Sequence, residues 1–168
     1  MKDIKTDYPR ILLTGIGNSG RADDGLGWAF AEQVREACAG KMDIEFRYQL
    51  QIEDTVLISA YDIVIFADAS HESLTDGFVI RKCFPGSHYY YSSHVQSPET
   101  ILYLARELYQ EEPIAYTIAI EGYQWRLQTG MSVKAAINLQ SALSVFLHDF
   151  VPAFMNNTEN KKGLVSIQ

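Results

Sequence analysis

The stretch Arg10-Ile-Leu-Leu-Thr-Gly-Ile-Gly-Asn-Ser-Gly-Arg-Ala-Asp-Asp-Gly-Leu-Gly-Trp28 decides how the chain folds. A short apolar run, Ile11 to Leu13, suits a buried strand. It breaks at Gly15, Gly17 and Gly20, then delivers two adjacent acids, Asp23 and Asp24, at the head of an amphipathic segment. A strand passing through a glycine-rich turn into a helix exposes that turn at the carboxyl edge of a sheet, where α/β proteins place their sites. The glycines fit the G-x-G-x-x-G pattern of dinucleotide binding, which sets a pyrophosphate against bare backbone amides at a helix N-terminus. Here two carboxylates follow the last glycine and would repel that anion, with Arg21 offsetting only part of the repulsion. The acid expected about 20 residues on to hold a ribose is also missing, since the second strand candidate ends in Gln49-Leu-Gln51. The same features favour a cation: a carboxylate in a first helical turn stays ionised in the helix dipole. Helix capping by Asp23 and Asp24 is the competing reading, and spacing alone does not separate the two.

Working outward, the 168 residues are expected to form one α/β domain over 1–152, followed by a polar tail at 153–168. Net charge is −7, from 14 basic and 21 acidic residues, with no basic cluster. Nucleic acid is therefore not an expected partner. No apolar run approaches the roughly 20 residues that span a bilayer, and the N-terminus has no signal-peptide core, so the expected setting is cytoplasmic, without a membrane partner. Cys38 and Cys83 have no Cys-x-x-Cys partner and are expected to be reduced core thiols.

Helices are expected at Gly25–Ala39, 52–59, from the Ser97 N-cap with Pro98 at the first helical position, and at Ser132–Phe150, where Pro152 ends the chain's last helix. Strands are expected at Ile11–Thr14, Asp43–Leu50, Ile63–Ala67, Gly77–Phe84 and Ile114–Ile120. The run Ile63-Val-Ile-Phe-Ala67 is apolar throughout, as in a parallel strand buried on both faces. The capped helix shows a stripe of Ile101, Leu104, Ala105 and Leu108. The last helix offers Val133, Ala136, Ile137, Leu143, Leu147 and Phe150. Alternating strands and helices define a three-layer α/β sandwich with a mostly parallel central sheet.

Such a sheet would bring three polar residues together. Asp24 follows the first strand, Asp68 ends the third, and His94 lies in a polar loop, 87–94, before the capped helix. Two carboxylates and an imidazole suit a borderline divalent ion such as nickel, zinc, copper or iron. His71 and His88 compete with His94 for this role, and each residue also has an ordinary structural reading. His148 is expected to be an exposed helix residue. No G-x-S-x-G elbow is present, which excludes a hydrolase of that type.

Gly15-Ile-Gly-Asn18, followed after four residues by Asp23-Asp-Gly-Leu-Gly27, resembles the opening signature of the hydrogenase maturation endopeptidases. These are the proteases that trim the C-terminus of the nickel–iron hydrogenase large subunit. The resemblance continues at Ile63-Val-Ile-Phe-Ala-Asp-Ala69 and Ser92-Ser-His94, and covers about residues 10 to 150. It implies a phosphorylase/hydrolase-like sandwich and an aspartic-type endopeptidase by family assignment. It also implies metal engagement by Asp24, Asp68 and His94, with Asp24 or Asp68 as the catalytic base. No permanently bound cofactor is implied, because the nickel arrives in the substrate, the hydrogenase large-subunit precursor. Many members carry Asp-Gly-Gly after the second strand, whereas this chain has Tyr48-Gln-Leu-Gln-Ile-Glu53, so the hydrogenase served is left open. The main rival is a non-proteolytic metal-binding accessory protein of the same fold, which shares the ligands but not the turnover.

Overall fold

In the computed structural model, residues 8–86 and 95–156 are described. Five strands form one sheet in the order β2-β1-β3-β5-β4: β1 Ile11–Ile16, β2 Asp43–Arg47, β3 Ile63–Ser70, β4 Phe78–Cys83 and β5 Ile114–Glu121. The four strands β2, β1, β3 and β5 run parallel, and β4 pairs antiparallel with β5 as an edge strand. From β1 the chain steps outward to β2, then returns across β1 to lay down β3. The strand order thus reverses between β1 and β3, which makes their carboxyl ends the switch point where an open α/β sheet has its crevice.

Side-chain alternation along the central strands builds two cores. Ile11 and Leu13 of β1 and Ile63, Ile65 and Ala67 of β3 face α1 (Leu26–Ala37) and α4 (Val133–Val145). Leu12, Ile16, Val64 and Phe66 face α2 (Asp54–Ile58) and α3 (Pro98–Tyr109). The result is the expected helix–sheet–helix sandwich. Ser97 caps α3 as expected, its hydroxyl accepting from Thr100 N at 3.2 Å.

Several element boundaries and faces differ from the sequence reading. β3 extends three residues beyond Ala67, so Asp68 lies within the strand rather than after it. In α3, Ile101 and Ala105 are buried, but Leu108 is exposed and Leu102 takes its place. In α4, Val133 and Ile137 are exposed at 79% and 60%, and the buried face is Ala135, Leu139, Ala142 and Leu143. Lys134, Gln140, Ser141 and Ser144 share the exposed side with Val133 and Ile137, so the polar residues decide which stripe faces water. Nor does Pro152 end the last helix. A π-turn at Phe146–Phe150 passes into α5, Val151–Asn156, and Phe154 is 2% exposed in the core. Pro152 follows directly on the π-turn, where the helix already departs from the i→i−4 pattern that the proline's missing N–H would interrupt. Ordered structure thus runs beyond residue 152. His148 is exposed, with Nδ1 2.8 Å from the Ser144 carbonyl oxygen.

Both cysteines are free and buried. Burial pushes the Cys38 thiol up, and burial next to Glu99 pushes Cys83 up to about 12. Because only the thiolate reacts, a disulfide reagent at pH 8 is expected to titrate neither thiol in the folded protein and both in denaturant. Fast labelling of the native protein would contradict this packing.

Candidate functional site

The glycine-rich turn after β1 is built by close approaches that only glycine permits. Gly17 sits at φ +135°, and a Cβ there would overlap the Asp24 carbonyl oxygen. A Cβ on Gly27 would overlap the carbonyl oxygens of Ile16 and Ala67, so glycine lets α1 begin directly against the ends of β1 and β3. Between them, Asn18 Oδ1 accepts from Gly20 N at 2.9 Å, and Asn18 N donates to the Asp24 carbonyl at 3.0 Å. A short 3₁₀ turn, Ala22–Gly25, carries the acids into the helix. Ala22 is held at φ +50°, a conformation that costs a non-glycine residue roughly 1–2 kcal/mol.

The two acids have separate roles, and neither side chain caps the helix. Asp23 is fully buried and forms a clip to the segment that joins β5 to α4. Its Oδ2 accepts from Tyr123 N (2.7 Å), Gln124 N (3.0 Å) and Ser132 Oγ (2.7 Å), and its Oδ1 from Ser132 N (2.6 Å). Burial pushes its pKa up, but these bonds to the charged form outweigh it and hold the carboxyl below its ordinary value. Backbone bonds from Ala22 N to the Gln128 carbonyl (2.7 Å) and from Gln128 N to the Gly20 carbonyl (3.1 Å) complete the seam.

Asp24 points elsewhere. Its carboxylate accepts no hydrogen bond among the described residues, and the residue lines a cleft of about 340 Å³ with Asn18, Arg21, Tyr48, Gln49, His71 and Trp125. Arg21 reaches the Trp125 carbonyl at 3.4 Å. His71 stacks on Trp125 with ring centroids 3.6 Å apart, forming one wall. Asp68 is half-buried at the end of β3 and is not among the lining residues, but it feels the cleft's charge. Burial, aided by the Asp24 carboxylate, pushes it up to about 7 against the pull of an Ala69 N–H at 2.8 Å. The charge on Asp68 is thus disfavoured first by burial and then by its acidic neighbour, and a cation nearby would favour it.

Of the expected pair, Asp24 lines the cleft, while Asp68 does not line it but lies near enough for the Asp24 charge to add to its upward shift. His94 and its competitor His88 lie outside the described residues. His71 reaches the cleft as an aromatic wall. Among the described residues no three His, Cys, Asp or Glu side chains form a group able to hold a metal. Sequence reasoning missed Trp125 and the Asp23 clip. The only available signal was an unpatterned polar segment, Glu121 to Ser132, too long for a simple turn.

An α/β sandwich of this topology defines a class with known structures. The hydrogenase maturating endopeptidase HybD from E. coli superposes with a TM-score of 0.68 at 18% identity, covering 86% of this chain and 93% of that one. The [NiFe] hydrogenase maturation protease HycI from Thermococcus kodakarensis gives 0.64 at 22%, covering 82% and 90%. A solution structure of an endopeptidase from Escherichia coli gives 0.65 at 17%, covering 87% and 94%. No protein-family model and no curated protein matches the sequence. The chain has the fold of the hydrogenase maturation endopeptidases.

Proposed function

We propose that this protein is the endopeptidase that removes the C-terminal peptide from a nickel–iron hydrogenase large-subunit precursor, using the inserted nickel as its recognition handle. The observation that supports this reading is Asp24 lining the switch-point cleft, with Asp68 on β3 near enough to feel its charge. Burial, and to a lesser degree the Asp24 charge, raise the Asp68 pKa, and a cation would relieve both. His94 is the third donor. Its described neighbour in sequence, Gln96, donates its N–H to the Leu50 carbonyl at 3.0 Å, and Leu50 directly follows the cleft residue Gln49. Two carboxylates and an imidazole suit nickel and leave the substrate to supply the remaining ligands.

The ion in the substrate polarises the scissile carbonyl. With Asp68 near 7, a carboxylate of the pair can take a proton from the attacking water at neutral pH. The test is mass spectrometry of a nickel-loaded large subunit incubated with the purified protein. Loss of a C-terminal peptide is expected from the nickel-loaded precursor and not from the nickel-free one. An intact precursor after long incubation would leave the protein as a metal-binding accessory of the same fold.

A further inference from the structure

Resting on that reading, we infer that the substrate segment next to the scissile bond is held as an added β-strand along the open edge of β2. Among the described residues this strand pairs only with β1. Gly17 N donates to the Arg47 carbonyl at 2.9 Å, so the main-chain groups of Arg47, and by two-residue alternation those of Glu45 and Asp43, face β1. Those of Ile44 and Phe46 face outward. The Phe46 carbonyl accepts from the Arg47 guanidinium at 3.0 Å. The N–H groups of Ile44 and Phe46 have no partner among the described residues and are oriented to bond an extended chain.

The edge leads to the right place. β2 ends at Arg47, and the next two residues, Tyr48 and Gln49, line the cleft that holds Asp24. Its flanks also suit an added strand. A cleft of about 480 Å³ lies on the α1 side, between Trp28, Arg35 and Phe46. A second of about 420 Å³ lies on the α2 side, between Phe46, Asp54 and Leu57. Side chains alternating from a bound strand would have one cleft for each face.

Charge selects the occupant. Both guanidiniums beside the edge are already paired, Arg35 with Glu32 at 3.4 Å and Arg47 with Glu45 at 2.7 Å and Asp54 at 2.9 Å. Glu32, Asp43, Glu45, Glu53 and Asp54 outnumber Arg35, Lys41 and Arg47 around the edge, so it presents net negative charge. A second copy of β2 would be repelled by it, whereas a substrate strand bearing Lys or Arg would be attracted.

Proline at a solvent-facing N–H of an edge strand removes a donor the fold does not use. Ile44→Pro is therefore expected to raise KM for the nickel-loaded precursor at least tenfold with kcat little changed, while Ile44→Val behaves as wild type. In the unmodified protein, saturation with a synthetic peptide spanning the cleavage junction is expected to slow amide exchange at Ile44 and Phe46 at least tenfold. This second measurement decides the matter if the proline variant does not fold. Unchanged KM in a folded Ile44→Pro protein, or unchanged exchange on peptide binding, overturns the added strand. So does a change in oligomeric state without a change in KM, which would assign the edge to a second copy. Failure of the wild-type protein to trim any precursor would instead count against the proposed function, with the exchange measurement still reporting on the edge.

Discussion

Asp24→Ala and Asp68→Ala are each expected to slow trimming of the nickel-loaded precursor by at least about 10²-fold, the range lost with a group that moves protons or steadies charge at the reacting centre. Neither change should lower thermal stability at pH 8, and Asp68→Asn should raise it. The sign follows from the direction of the Asp68 shift. Its folded-state value of about 7 lies above the ordinary 3.8, so the native chain binds this proton more tightly than the unfolded chain. The resulting stabilisation is complete below about pH 4 and is lost as pH climbs through 7. Wild-type protein is therefore expected to lose on the order of 2–4 kcal/mol between pH 4 and pH 8 through this group. Asp68→Asn removes that slope. Denaturant midpoints across this range check the point, and equal slopes in the two proteins would mean that Asp68 is better solvated than its position indicates.

Asp23→Ala should have the opposite profile, a large loss of stability. It strands the Tyr123, Gln124 and Ser132 N–H groups and the Ser132 hydroxyl. Each buried, unpaired donor costs about 1–3 kcal/mol, and partial rehydration of the seam would limit the total to about 3–5 kcal/mol. For a chain of this size that corresponds to a fall in Tm of about 10 °C or more. Asp23→Asn keeps the shape but turns an NH₂ toward donors, so it should rescue little. The pH signature also differs from that of Asp68. A depressed carboxyl stabilises above its unfolded value and loses that contribution as pH falls below about 4, so the variant should lack this part of acid unfolding. Scanning calorimetry of the three proteins at pH 3 and pH 7 separates the cases. A shift of only a degree or two at pH 7 would show that the clip is dispensable.

The fold was legible because its signals are local and agree with one another. The unbroken run Ile63–Ala67 marks a strand buried on both sides, and Ser97-Pro98 marks a helix start. The glycines after Leu13 fix the turn that α1 needs to press against two strand ends. For the site, sequence order locates Asp68 in the last residues of β3 and Asp24 in the turn that leads from β1 into α1. The division of labour between Asp23 and Asp24 was not readable, because it depends on backbone donors 100 to 109 residues away. Trp125 was missed for the same reason, since its partner His71 comes from another loop. The α4 face was misread because Val133 and Ile137 share a spacing that the packed stripe also satisfies. Pro152 was overweighted because a π-turn before it absorbs the constraint.

The seam between the first loop and the β5–α4 segment also sets an order of assembly. A ribosome delivers Asp23 early and Ser132 more than a hundred residues later, so the nascent chain carries both acids long before it can close the cleft around them. A chain stopped before Ser132 would hold the chemistry without the frame. The clip, and the cleft it frames, therefore form only after the β5–α4 segment has been made.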